Sequence, residues 1–285
     1  MTELGAYGLK LPGIPGQNLL KPAPDDWIPW SFEIDADPVI KRPPQQVSVD
    51  SATLYTQPRG YVHIDRVLSR TTVVQGKIPV RDAYVHPLLA STALMVAEWN
   101  QRLVFHGGVF LDSAGYAWGV LGEREHGKSS FLGWCVSNGI EVFSDDLVVT
   151  DGHRVLAGPR CIDLRQGAAE HFGIGVDIGV VGTRRRWRVP LSDGGTTAPL
   201  GGWIALKWGD TSVRSMTAQE RVATLVSNRG ISVAQNHQVP WLNSISAPAF
   251  EFRRPKDWGH VDEAMQSLMR SVERFRTKAG STAVR

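Results

Sequence analysis

Residues 122–129 read Gly-Glu-Arg-Glu-His-Gly-Lys-Ser, a match to the G-x-x-x-x-G-K-[ST] pattern of phosphate-binding loops. The flanks give the pattern the setting it needs. Tyr116 to Leu121 are apolar and partly aromatic, as a buried strand is, and Ser130 to Ser137 continue as a helix that Asn138-Gly139 closes. In such a turn the backbone N–H groups converge on an anion and the positive end of the helix adds to them. Lys128 supplies a point charge toward the β- and γ-phosphates, and Ser129 is placed to hold Mg²⁺ through its hydroxyl. A chain of this length matches the pattern by chance roughly 1% of the time at average residue frequencies, so an ordinary glycine-containing turn explains it poorly.

The chain has 285 residues, enough for one large domain or two smaller ones. A formal charge of +3 is too small to imply a nucleic-acid partner. No apolar run approaches the roughly 18 residues of a membrane span, and MTELGAYGLK lacks a basic segment followed by an apolar one. No membrane partner or secretory signal is therefore expected, and the expected location is the cytoplasm. Cys135 and Cys161 make neither a disulfide framework nor a metal pattern, and Cys135 suits a buried, inert position in the helix. The 8 histidines lack a spacing such as H-x-x-x-H, which argues against structural zinc.

Upstream of the loop, His86-Pro87 opens PLLASTALMVAEWNQRL, with apolar Leu88, Leu89, Ala93, Val96 and Ala97 at helical spacing and Pro at a first helical position. The spacing predicts a helix over 87–101. LVFHGGVFL at 103–111 reads as a strand that forms a hairpin with Tyr116 to Leu121 across Asp112-Ser113-Ala114-Gly115. Residues 1–50 carry Pro12, Pro15, Pro22, Pro24, Pro29, Pro38, Pro43 and Pro44, which exclude long helices and favour extended edge segments. Trp27 and Trp30 imply that this arm packs on something. Gln46 to Ile78 alternate in short stretches around Gln57-Pro58-Arg59-Gly60 and read as a small β-rich region.

Downstream, Ile140 to Thr150 read as a strand interrupted by Asp145-Asp146 and followed by an Asp151-Gly152 turn. A strand running toward the loop would deliver an acid to the metal; the alternative is a solvated, self-capping turn. Neighbours on a strand face opposite sides, so one aspartate is expected to face the site, and spacing does not say which. Arg160 and Arg165 flank an apolar centre, and Arg184 to Arg188 form a dense basic run; either would meet phosphate or an acidic peptide, although such a run reads first as a solvated face. Pro190 to Gly202 read as loop and Trp203 to Trp208 as strand. Thr217 and Glu220 form a capping box for a helix to about Val226. Val261, Met265, Leu268, Met269, Val272 and Phe275 form the core stripe of a last helix, and Lys278 to Arg285 are expected to be disordered.

His106-Gly107, the loop Gly122 to Ser129 and Ser144-Asp145-Asp146, taken in order, resemble the HPr kinase/phosphorylase family. The likeness is greatest to the shorter HPr-kinase-like enzymes of bacterial peptide natural-product clusters, including kinases of a C-terminal serine in lasso-peptide precursors. The segment Gly158 to Arg165 and the run Arg186 to Pro190 fit that subgroup, and the likeness covers about residues 86–210. It implies an α/β fold: a P-loop, HPr-kinase/PEP-carboxykinase-like nucleotide-binding domain over 86–285 behind an N-terminal Pro-rich and β-rich region over 1–85.

The resemblance further implies that ATP, or another nucleoside triphosphate, binds at Gly122, Glu125, His126, Gly127, Lys128, Ser129 and Ser130, with Arg160 and Arg165 neutralising charge. Mg²⁺ would be held by Ser129 and Asp146. The pair Asp145-Asp146 would supply the general base, with His106 and Lys128 beside the reacting groups. The implied activity is an ATP-dependent serine kinase acting on a peptide or small protein, with a homo-oligomer as a possible assembly. The departures are an acidic loop interior, Glu123 and Glu125, which would repel a triphosphate unless turned away or paired with Arg124, and the lack of a clear metal-binding acid around 158–165. The N-terminal region is also unlike that of the full-length HPr kinases. Two rival readings remain: a switch or peptide-binding module that keeps the fold without transfer chemistry, and a kinase of a small hydroxyl compound.

Overall fold

Strand Leu103–Leu111 is the axis of the structure, with helix Leu89–Trp99 packed beside it. The computed structural model describes residues 2–35, 40–57, 59–75, 81–233 and 237–282, with side chains through 275. Pro38, Pro58, the end of the expected β-rich region at 76–78 and the last three residues of the tail lie outside the described residues. The architecture is mixed α/β.

One side of Leu103–Leu111 pairs antiparallel with Ala117–Leu121, completing the expected hairpin; the other pairs with Val142–Ser144 and Leu147–Thr150. The ladder continues through Arg154–Leu156 to the start of the 12-residue strand Thr197–Trp208. That strand then runs parallel to Ala117–Leu121, so the pairing returns on itself. Ala249–Arg254 lies parallel to its far end, and Ser212–Ser215 forms the edge. Residues 197–202, expected as loop, are thus strand. Val155 and Ala198 pair across this ladder and share one core with Phe105, Val148 and Trp203, which gives the segment an apolar face to bury.

Helix Lys128–Ser137 lays Phe131, Leu132 and Cys135 against Phe110, Ile204 and Phe252. The C-terminal helix, Val261–Thr282, closes this core with Val261, Met265, Leu268 and Val272, as its spacing predicts. Each such side chain stabilises the fold by about 1.5–3 kcal/mol. Phe275 is more exposed and meets Phe250 edge-on at 5.9 Å. The helix runs on to Thr282, through part of the segment expected to be disordered.

The N-terminal arm folds as short strands, as its prolines require. One sheet joins Leu4–Ala6, Leu9–Lys10, Lys21–Pro22 and Ile28–Pro29; a second, of 5 strands, spans Ser31–Asp35 to Arg70–Val74. Tyr7, Leu9, Leu11 and Trp30 pack into one core with Leu89, Val96 and Val149, so the arm is part of the scaffold. Helix Leu89–Trp99 begins two residues after Pro87, beyond turns at 85–88. Thr217 caps Ala218–Asn228 through the expected capping box.

Glu251, on strand Ala249–Arg254, is 2% exposed in its side chain and accepts from Arg253, Arg214 and Lys207. Burial alone would raise this carboxyl, but the three cationic donors outweigh it and hold it down at about 2. A depressed carboxyl stabilises the fold above its ordinary value near 4.5 and loses that contribution as pH falls toward about 2. Glu251→Gln is expected to lower stability at neutral pH by about 1.5–3 kcal/mol, and to flatten the fall in melting temperature between those two pH values. Calorimetry across that window checks both.

Candidate functional site

Three parallel strands end together at Leu121, Trp208 and Arg254, and the Gly122–Ser129 loop leaves from the first of them. The loop turns through Glu125, at φ 72, before helix Lys128–Ser137 begins. The N–H groups of Lys128, Ser129 and Ser130 fall in the first helical turn and have no intrahelical partner. Lys128 Nζ donates to the carbonyls of Gly122 at 2.7 Å and Glu123 at 3.2 Å. Burial lowers its pKa, while the charges of Asp145 and Asp146 work the other way.

These groups open on a cavity of about 1310 Å³ whose walls include Glu125, Gly127, Lys128, Ser129 and Ser130. Gly122 lies behind that wall, bound through its N–H to Asn228 and through its carbonyl to Lys128. His126, expected at the phosphates, is turned away: its Nδ1 is 3.1 Å from the Leu206 carbonyl and its ring meets the Trp208 edge. Glu125 pairs with Arg165 at 3.3 Å, not with Arg124. Arg160 forms an ion pair with Asp193 and is not among the cavity residues, so the structure does not bring it to the site.

The aspartate pair interrupts the ladder opposite Gly107-Gly108. Val142–Ser144 pairs with 109–110 and Leu147–Thr150 with 103–106, so Asp145 and Asp146 bulge from the strand at that gap. A side chain at Gly107 would meet the Val120 carbonyl at 2.5 Å, and one at Gly108 would meet Leu132 at 2.5 Å, so the opposing strand has room only for glycine. Asp146 adopts φ 66, in the left-handed region, and this breaks the alternation expected of a strand. Both carboxylates therefore reach one side: Asp145 Oδ2 lies 3.9 Å and Asp146 Oδ2 3.6 Å from His86 Nε2. Burial first, then the Asp146 charge, pushes the Asp145 carboxyl up to about 7. His106, which pairs with Leu147 on the adjacent strand, faces the same cavity; desolvation and the Lys128 charge lower its pKa.

A third acid joins them. Asp163, on strand Cys161–Leu164, has its Oδ2 3.7 Å from His86 Nε2, so segment 158–165 does carry an acid into the site. Arg188 donates to Asp163 Oδ1 at 2.9 Å and Oδ2 at 3.0 Å, and its Nη2 also holds the His86 carbonyl at 2.8 Å. The basic run is a strand, Arg184–Pro190, rather than a solvated face. Alternation turns Arg186 and Arg188 toward Asp163 while Arg185 pairs with Asp177. Arg184 lines the cavity, its pKa lowered by desolvation and the like charges of Arg165 and Arg124. The period-2 pattern R-x-R-x-R was the available signal for this face.

Arg254 gave no local signal. It is 3% exposed, stacks on Trp208 with its guanidinium carbon 4.3 Å from the ring centroid, and donates to the carbonyls of Gly127 and His126. Its Nε and Nη1 are buried without hydrogen-bond partners, and burial pushes its pKa down to about 10. Unsatisfied guanidinium donors at the first turn of a helix fit an anionic ligand such as a phosphate. A divalent cation fits as well: the Ser129 hydroxyl and Asp146 face the cavity, and His86 Nε2 is buried without a hydrogen bond among three carboxylates.

The site and the strand ends that carry it define a mixed α/β chain with the Gly122–Ser129 loop and an acidic cluster at one mouth. No protein-family profile matches it, and no curated protein does. Among solved structures it is similar to an HPr(Ser) kinase/phosphatase from Coxiella burnetii, at 10% identity and a TM-score of 0.32, over 62% of this chain and 98% of that one. At that score the superposition carries no argument. Among the described residues no helix is long and apolar enough to cross a membrane.

The Arg188–Asp163 pair is buried on both sides, with 6% and 1% of the side chains exposed. Arg188→Met is expected to strand Asp163 and cost about 3–5 kcal/mol in denaturant unfolding, with Arg188→Met/Asp163→Asn recovering at least half of the loss.

Proposed function

We propose that this chain is an ATP-dependent, Mg²⁺-assisted kinase that transfers the γ-phosphoryl group to a serine hydroxyl of a peptide or small protein. What carries the reading is that the Lys128–Ser130 helix start, the buried Arg254 and the Asp145-Asp146 bulge all open on one cavity. In this reading the free N–H groups of the first helical turn hold the phosphates with Lys128, and Arg254 steadies the same loop from below. Mg²⁺, if held by the Ser129 hydroxyl, would supply charge neutralisation at the phosphates.

Asp146 is the better placed base, since its side chain is 29% exposed whereas that of Asp145 is 5% exposed. Asp145 accepts from the Asp146 N–H at 2.9 Å and the Asp163 N–H at 3.3 Å, which suits a positioning role. The acceptor hydroxyl gives its proton to Asp146 as its oxygen bonds to the γ-phosphorus; the bond from that phosphorus to the β,γ-bridging oxygen breaks and the diphosphate leaves. Arg184, Arg165 and Arg124 crowd positive charge along one wall, which favours an acceptor carrying carboxylates over a free hydroxy amino acid. Tailoring of a ribosomal peptide precursor is the setting this chemistry suits.

Lys128 held by the carbonyls of its own loop supports a second reading, a peptide-binding module with little nucleotide affinity. Mass spectrometry of a serine-bearing acidic peptide incubated with MgATP separates the two. One added phosphate is expected with the natural chain and none with Lys128→Ala; Asp146→Asn is expected to slow transfer about 10²–10⁴-fold while calorimetry still shows MgATP binding. Full activity in both variants contradicts the kinase, and no MgATP binding at millimolar concentration favours the module. Arg184→Ala with Arg165→Ala is expected to raise KM for the acidic peptide with little change in kcat.

A further inference from the structure

His86 lies buried behind the cavity wall, next to the wall residue Pro87 and just ahead of helix Leu89–Trp99, in a position the transfer chemistry above does not use. It is 2% exposed, and its Nε2 is buried with no hydrogen-bond partner. A buried imidazole nitrogen left unpaired costs free energy and calls for an explanation. Around it stand Asp146 Oδ2 at 3.6 Å, Asp163 Oδ2 at 3.7 Å and Asp145 Oδ2 at 3.9 Å. These separations are too long for hydrogen bonds. The first two match two ligands sharing one ion, because metal–ligand bonds of about 2.0–2.3 Å put neighbours in a coordination shell about 3–3.8 Å apart.

We propose that His86, Asp163 and Cys161 form a divalent-cation site that fills without nucleotide, and that its imidazole nitrogen selects a first-row transition cation such as Mn²⁺ or Zn²⁺ over Mg²⁺. The donor set is the argument for selectivity. Mg²⁺ takes oxygen ligands and keeps much of its water, whereas imidazole suits the later divalent metals. Cys161 adds a softer donor, its Sγ lying with the ligand atoms of His86 and Asp163 inside a 4.8 Å span. All the ligands come from the protein, so the site does not need nucleotide phosphates to complete it, as the Mg²⁺ expected at Ser129 does.

The outer supports are built for rigidity. Arg188 grips both oxygens of Asp163 and also the His86 carbonyl, which fixes two ligands from different elements against each other. Asp145 Oδ1 is held by the Asp146 N–H, so its Oδ2 is the oxygen turned to His86. The carboxylates that face the imidazole therefore come from the Asp145-Asp146 bulge and from strand Cys161–Leu164, with Arg186 approaching Asp163 Oδ2 at 3.4 Å from the strand beyond.

The test uses the full chain, stripped of metal by a chelator and free of nucleotide and acceptor. Titration with Mn²⁺, followed by the loss of the free-ion electron paramagnetic resonance signal, is expected to show one site per chain that binds Mn²⁺ at least about tenfold tighter than Mg²⁺. Electron spin-echo modulation from a directly bound nitrogen is expected in the natural chain, and His86→Gln is expected to remove it and weaken binding more than about tenfold. No Mn²⁺ binding without nucleotide overturns the proposal, and so does binding that lacks the nitrogen coupling, a readout that needs no variant to fold. Because neither ATP nor a peptide is present, a chain that proves inactive as a kinase can still pass, and an active one can still fail.

Discussion

Three carboxylates gathered around one buried imidazole are the arrangement on which the rest of this structure depends. Left to themselves, Asp145, Asp146 and Asp163 would repel, and burial favours the neutral form of Asp145. Arg188 is the main counterweight. Its fork lies flat on Asp163 and its remaining Nη2 hydrogen bond reaches the backbone of His86, so a single side chain ties the strand carrying one acid to the segment carrying the imidazole. Such a pair adds less to stability than its geometry suggests, but removing one half is costly. The cluster is thus held in place more by the penalty for breaking it than by any surplus in forming it.

The scaffold turns this electrostatic problem into a mouth. Parallel strands deliver Leu121, Trp208 and Arg254 to the same end, so the loop, an aromatic platform and a buried cation arrive together. Antiparallel pairing through Leu103–Leu111 brings the aspartate bulge alongside. The bulge lies opposite Gly107 and Gly108, where Val120 and Leu132 leave no room for side chains, and Asp146 accepts a left-handed backbone. Polarity and packing meet at that point: Leu132, from the helix behind the loop, fills the space that glycine leaves.

Local patterns in the chain were readable and long-range ones were not. The loop, the hairpin over 103–121, the capped helix from Thr217 and the apolar stripe from Val261 all follow from spacing within a few residues, and the structure has each of them. The aspartate pair was visible as an interruption, but its turn to one side depends on a positive φ that spacing cannot show. Asp163 looked like part of an apolar segment because its meaning comes from register: it lies opposite Arg188 in a ladder between strands. Arg254 lies 127 residues from the loop it braces, and nothing near it in sequence marks it. His86 read only as the opening of a helix. The arginine run reads as a solvated face by charge density and as a strand by its period of two, and the strand is what forms; Arg160, which shares a segment with Asp163, is drawn off to Asp193.

The N-terminal arm reaches the same place from behind. Tyr7 donates its hydroxyl to the Asp145 carbonyl at 2.7 Å, across 138 residues of chain, and its N–H binds the Ala157 carbonyl. During folding, that contact must wait for the closure of a long loop, whose entropy is repaid only when both partners are already packed. The acidic bulge is therefore braced from behind by a contact of long sequence separation. A substitution at Tyr7 would thus reach the acids without changing any residue that lines the cavity, which makes the arm part of the site's support.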